Sequence, residues 1–491
     1  MLTRASAHAA AATILTLTLL FGKTSTAWGT TRAVPQPAHA VPGAAANWQI
    51  QTVTIAGCPR ASSQGLALDK TGAPHIAFSS SDGLQYARWD KVSGVWRFST
   101  VDTKGSDASL ALDAAGNPRI AYIYSPHNEF DLRYAYWDAN AGRWQIQTVD
   151  SGITHYPSLA LDGQGAPHIS YGDWNASDLK YTYWDSSASQ WRTRLLDSAG
   201  VVGMWTSITL DASGHPHIGY YDQTNGNPKY AYWDVGNWHI ETVSDEQWVM
   251  GISLAVDGSN RIHMSYVEAA QDVLRYARRD PGSGAWQVQT LDTAYDEAAW
   301  IALALDKAGN PRISYQRGDL RYTYWDAGAN AWKTETVITG WQSVSALALD
   351  DRDDPHIVFA NNYECSGLMY AHKESIPTLQ LGTDHVALLR ASGETSPTLL
   401  ALPLNSSGSV ITWTAAISPT VGWLSVTPVT GTTPSVIQLT FSPAGLGLGH
   451  YETQVVIQPA DAQIASRSVP VTLIIVEHVF DLYLPLIRRA S

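Results

Sequence analysis

Ser158-Leu-Ala-Leu-Asp162-Gly-Gln-Gly-Ala-Pro167-His168-Ile-Ser-Tyr171, followed by Leu179-Lys-Tyr-Thr-Tyr-Trp184-Asp185 and Trp191, returns along most of the chain. Its aspartate recurs as Asp69, Asp113, Asp162, Asp211, Asp257, Asp306 and Asp350, at spacings of 44 to 49 residues. A Gly-x-Pro-His/Arg segment follows five of the seven at fixed offset, as in Gly72-Ala-Pro74-His75 and Gly309-Asn-Pro311-Arg312. A period of this size marks a repeat architecture, in which each unit buries its apolar faces against its neighbours.

Working outward, every unit holds four short strand candidates. A Trp-led strand opens the series at Trp48 and returns at Trp96, Trp144, Trp191, Trp238, Trp286 and Trp332. Leu-Ala-Leu-Asp, Pro-His-Ile-x-Tyr and Leu-x-Tyr-Ala-Tyr-Trp-Asp strands complete the unit. Four strands per repeat with turn punctuation predict one propeller blade. The expected fold is all-β: a seven-bladed β-propeller over 47–375, followed by an Ig-like β-sandwich over 376–477. Leu-Ala-Leu-Asp is the shortest strand and carries alanine at its middle, so it is assigned to the crowded axis. The series begins with a lone outer strand and ends on a lone third strand, Leu368–His372. The first should therefore complete the last blade and remove an open sheet edge.

The ends read differently. Residues 1–27 have the basic start, apolar run and small residues of a secretory signal, and 28–46 form an Ala/Pro/Thr-rich leader. No later stretch is long enough for a membrane-spanning helix, so a secreted or cell-surface, monomeric protein is expected. Residues 478–491 form an apolar tail ending in arginines, read either as a sorting or anchoring tail or as an extra edge strand. A formal charge of -13 disfavours nucleic acid as a partner.

Three resemblances attach to particular residues. Gly422-Trp423-Leu-Ser-Val-Thr-Pro428, with Gly431, Gly449-His-Tyr451 and Val469-Pro-Val-Thr-Leu473, resembles the BACON family of bacterial Ig-like domains. That likeness implies an extracellular accessory domain. The Asp-x-x-Gly turn resembles the Asp-box hairpin of sialidase-like propellers, though two residues separate Asp from Gly and no Trp follows at the family position. The Trp-Asp ending is similar to Trp-Asp-repeat propellers, without their Gly-His dipeptide. The last two support propeller architecture and transfer no catalytic residue.

The repeated Asp, Gly, Pro and His are assigned to scaffolding. Asp caps a tight turn, Gly supplies positive φ and Pro fixes the next strand. His75, His168, His217, His263 and His356 share one position with Arg119 and Arg312, where a donor serves each blade. Function should sit in the unrepeated residues. Tyr156, Trp205 and Trp300 precede the innermost strand at one shared offset, with Trp248 and Trp341 three residues further back in their repeats. After the second strand come Asp173 (followed by Trp174), Asp222 and Glu268, again at one offset. Aromatic faces beside carboxylates suit sugar rings and their hydroxyls.

No nucleophile elbow, zinc-protease or phosphate-loop pattern occurs, and no cofactor or metal is implied. Asp351-Arg-Asp353-Asp354 lacks a calcium-loop pattern and reads as a turn. The primary reading is a non-enzymatic recognition protein that binds a ligand, carbohydrate in chemistry, on one propeller face. The alternatives are a sialidase-like glycan-cleaving enzyme and a structural module whose partner is a surface protein. Cys58 and Cys365, the only cysteines, fall in loops expected on one face of the last blade, where a disulfide would pin the N-terminal strand.

Overall fold

The computed structural model describes residues 48–478, apart from 55–57, 127–129, 153, 293–299, 341–343, 361–366, 374–376, 407–409 and 463. The expected signal and leader, Trp341, Cys365 and the tail from Val479 onward lie outside the described residues. The described residues contain strands and turns and no helix. They fall into two compact units, one made chiefly of Ile50–Ala348 and the other chiefly of residues from His372 onward.

The first unit is all-β and propeller-like. Its strands form four-stranded antiparallel sheets that, apart from the last, follow chain order, as in Thr154–Leu161, Pro167–Asp173, Asp178–Asp185 and Gln190–Asp197. The sheets of the first two repeats join into eight strands through a parallel bridge between Gln64 and Ser109. Gln49–Thr54 pairs with Leu368–His372 and completes the last sheet of the repeat series.

The turn chemistry follows the sequence reading. Asp69 Oδ1 accepts the Thr71 and Ala73 N–H groups at 2.8 and 2.9 Å, and Gly72 sits at φ 72°. Burial raises the Asp69 pKa, but the bonds from Thr71 and Ala73 outweigh it, and the carboxyl stays below its ordinary range. The histidine six residues after the turn aspartate is a structural pivot. Its Nδ1 shares a hydrogen bond with a third-strand tyrosine hydroxyl, 2.5 Å from His75 to Tyr86 and 2.7 Å from His263 to Tyr276. Its Nε2 faces the turn aspartate, 3.6 Å away for His75 and Asp69. Arg119 and Arg312 bond the same carboxylate directly, at 2.7 and 2.8 Å.

Neighbouring sheets are bound by three recurring contacts. At the axis, a serine Oγ accepts the N–H of the next first strand: Ser109 from Leu159 and Ser158 from Ile208 at 2.9 Å, Ser207 from Leu254 and Ser253 from Leu303 at 3.0 Å. These bonds place Leu-Ala-Leu-Asp innermost. Midway out, the aspartate closing one sheet's outer strand accepts the next sheet's tyrosine hydroxyl, as Asp150 does from Tyr171 and Asp197 from Tyr220, both at 2.6 Å. Further out, third-strand tyrosines meet the next sheet's tryptophan edge-on: Tyr86 with Trp144, Tyr134 with Trp191, Tyr276 with Trp332, at centroid distances of 5.1–5.4 Å. Trp96 makes the same contact with Tyr370 at 5.6 Å, so the last sheet packs against the first. Such pairs contribute about 0.5–1.5 kcal/mol each beyond area burial.

In the second unit, a four-stranded sheet (Leu379–Leu381, Thr398–Ser406, Ser435–Phe441, Leu424–Thr427) shares one core with a five-stranded sheet. Trp413, Ile437, Phe441, Val455 and Leu473 are among its fully buried members. Trp423 of the BACON-like run packs against Phe441 at 6.1 Å.

Candidate functional site

The first strands share a local irregularity. Between Ser106 and Ser109, His155 and Ser158, Met204 and Ser207, and Met250 and Ser253, the register with the second strand slips. The residue after the slip is left-handed: Asp107 at φ 47°, Tyr156 at 53°, Trp205 at 49° and Gly251 at 63°. Bulges re-aim side chains, and a positive φ on tyrosine or tryptophan is uncommon enough to mark a special position. Here the bulges turn Asp107, Tyr156 and Trp205 into one cavity at the inner end of the sheets.

That cavity has a volume of ≈ 450 Å³ and is walled by successive first strands, through Arg60, Asp107, His155, Tyr156, Trp205 and Trp300. Its floor is polar. Gln64 Nε2 donates to the Thr206 carbonyl at 3.1 Å, Ser109 Oγ donates to Gln64 Oε1 at 2.9 Å, and Thr206 Oγ1 donates to the Tyr156 carbonyl at 2.7 Å. Gln64 thereby bridges the first repeat to the fourth. Two smaller clefts adjoin. One of ≈ 140 Å³ holds His155, Tyr156, Asp173 and Trp174, and one of ≈ 380 Å³ holds Trp205, Tyr221, Trp248 and Met250.

An aromatic row links the three. Trp174 meets His155 at 5.1 Å, His155 meets Tyr156 at 5.8 Å, Tyr156 meets Trp205 at 5.9 Å and Trp205 meets Tyr221 at 5.3 Å. The Trp174 end is open to water, 50% exposed, whereas Tyr221 is buried and shares its cleft with Trp248, 68% exposed. Large indoles left this exposed are the unusual feature.

Three ionisable groups stand at the cavity, Arg60, Asp107 and His155. Asp107 keeps solvent-accessible surface, yet the surrounding walls crowd it and raise the carboxyl pKa, only partly offset by His155 and Arg60. Burial lowers the His155 pKa, with the Asp107 charge opposing. Acid and imidazole are thus drawn toward one another's range. Among the described residues, no cluster of three or more His, Cys, Asp or Glu could hold a metal ion.

The structure brings Tyr156, Trp205 and Trp300 into the central cavity and puts Trp174 and Trp248 in the flanking clefts. It corrects the role given to the acids. Asp222 is fully buried, bonded to Lys229 Nζ at 2.9 Å and to Asn225 N and Nδ2 at 3.0 and 2.8 Å. Glu268, 2% exposed, is held by Arg275 at 2.6 Å. Asp173 caps its own turn through Asn175 and Ala176 and pairs with Lys180 at 2.7 Å, so only its edge reaches a cleft. Burial raises the pKa of Asp173 and Asp222, but hydrogen bonds and the lysines prevail and hold both carboxyls below their ordinary range. Second-strand ends receive the third-strand cation, which is why acids recur there.

Arg60, Asp107, His155 and Gly251 were missed by the sequence reading. The signal for Asp107 and Gly251 was present, since both stand six residues before their turn aspartate, as Tyr156 and Trp205 do. Nothing in the sequence marks Arg60.

No protein-family model matches the sequence, and no curated protein is significantly similar to it. Among solved structures, the polysaccharide lyase Uly1 is similar over 63% of this chain and 89% of its own, at 12% identity and a TM-score of 0.43. An ulvan lyase is similar over 69% and 96%, at 12% identity and 0.47. The sialidase Hz136 is similar over 56% and 66%, at 11% identity and 0.39. At such identities and TM-scores, these likenesses bear on neither activity nor ligand.

Proposed function

We propose that this chain is an exported recognition protein whose seven-bladed β-propeller, completed by an Ig-like β-sandwich, binds carbohydrate at the channel mouth. The observation that carries the reading is the aromatic row from Trp174 to Tyr221 beside a polar-floored cavity, with exposed indoles at Trp174 and, in the cleft that Tyr221 also lines, at Trp248. Pyranose faces stack on such rings, while Asp107 accepts from hydroxyls and Arg60 donates to them. A glycan array probed with the purified chain tests this. Binding is expected, and Trp248→Ala or Trp174→Ala should each weaken it about ten-fold, worth about 1.4 kcal/mol. Binding by no glycan, or undiminished binding by both variants, refutes the reading and favours a protein partner.

Glycan cleavage is the second reading, and one observation favours it: Asp107 and His155 share the cavity with their proton affinities drawn together. A two-carboxylate hydrolysis is not supported, because Asp107 is the one carboxylate among the described residues lining the central cavity. Turnover of a fluorogenic glycoside panel that disappears in Asp107→Asn would decide for catalysis.

A further inference from the structure

We propose that Gly251 opens the central cavity sideways into the Trp205–Trp248 cleft, making one groove for an internal stretch of a linear glycan. The inference rests on the carbohydrate reading and adds the shape of the ligand.

The inner-strand bulge is the same device in successive repeats. It carries Asp107, Tyr156 and Trp205 at φ 47°, 53° and 49°, and in the fifth repeat it carries Gly251 at 63°. Glycine is the default residue for a left-handed backbone, so backbone need is the bland explanation. Here it is insufficient, because this bulge holds an aspartate, a tyrosine and a tryptophan in the same conformation elsewhere. What distinguishes Gly251 is the missing side chain. At this position the fifth repeat sets no side chain against the cavity.

The gap leads somewhere. Gly251 lines the central cavity, and its neighbour Met250 lines the outer cleft with Trp248. Trp205 is common to both and forms the wall between them. The two volumes, ≈ 450 and ≈ 380 Å³, are each of ligand-site size. A closed pocket would take a chain end or a single sugar. A cavity that continues past Gly251 to an exposed indole accommodates a chain passing through.

The test is fluorescence titration of the full chain with cello-, chito- and galacturonate-oligosaccharide ladders, from disaccharide to hexasaccharide. Affinity should rise about ten-fold or more with length. Gly251→Phe, which places a side chain at this position, should abolish that gain, and Gly251→Ala should keep most of it. Retention of the gain in Gly251→Phe, or a native chain that binds disaccharide as tightly as hexasaccharide, overturns the groove. Should Gly251→Phe fail to fold, Trp248→Ala decides alone, since loss of so exposed a side chain leaves the fold intact. Its keeping the length gain also overturns the groove. Failure of every ladder to bind strikes the carbohydrate reading itself, a result distinct from binding without length dependence.

Discussion

Replacing Asp222 by alanine separates structural from ligand-binding acids. Asp222 has no exposed surface, and its carboxylate holds the Lys229 ammonium at 2.9 Å and two Asn225 donors at 2.8 and 3.0 Å. Removing one partner of a buried ion pair costs about 3–5 kcal/mol when the other is left alone. Lys229 is not left alone, because Asp197 also holds it at 3.1 Å. The expected loss is therefore about 3 kcal/mol, at the low end of that range. By contrast Trp248→Ala, on a side chain 68% exposed, should change stability by no more than about 0.5 kcal/mol. Denaturant midpoints and glycan affinities measured on both variants give opposite patterns: Asp222→Ala is unstable but binds once folded, and Trp248→Ala is stable but binds poorly. An Asp222→Ala protein of native stability that no longer binds would refute the assignment.

Three further outcomes follow from the same geometry. Burial lowers the pKa of His217 and His263 from 6.5 to about 4, so between those values the unfolded chain binds protons that the folded chain does not. Stability should fall as pH drops through that window, by at most on the order of 3 kcal/mol per histidine, and a flat pH profile of the unfolding midpoint would contradict this. Ser207→Ala strips the buried Leu254 N–H of its acceptor and should cost about 1–2 kcal/mol, read from the denaturant midpoint, whereas a neutral result would show that the axial serines do not bind the sheets together. A non-reduced digest should yield one peptide joining Cys58 to Cys365, a bond worth on the order of 4–5 kcal/mol in chain-entropy terms, and its absence by mass spectrometry disposes of the pin on the N-terminal strand.

The architecture was legible because its signals are local and repeated. Asp69, Gly72 and Pro74 each specify a turn geometry that the backbone adopts. The site was half legible. Tyr156, Trp205 and Trp300 were found by their shared offset, whereas Asp107 and Gly251 share that offset but were passed over because neither is aromatic. The acids failed for a different reason. The same offset that brings Asp173, Asp222 and Glu268 to one end of the sheets brings Lys180, Lys229 and Arg275 there from the adjacent strand. Cross-strand pairing neutralises them, and that register is invisible until the sheets are assembled.

A crystal structure of the chain with the best array-selected oligosaccharide tests the central claim most directly. The account predicts sugar rings against Tyr156 and Trp205, hydroxyls within hydrogen-bond reach of Asp107 or Arg60, and the chain running over Gly251 toward Trp248. Sugar bound on the opposite end of the sheets, or only on the second unit, would contradict it.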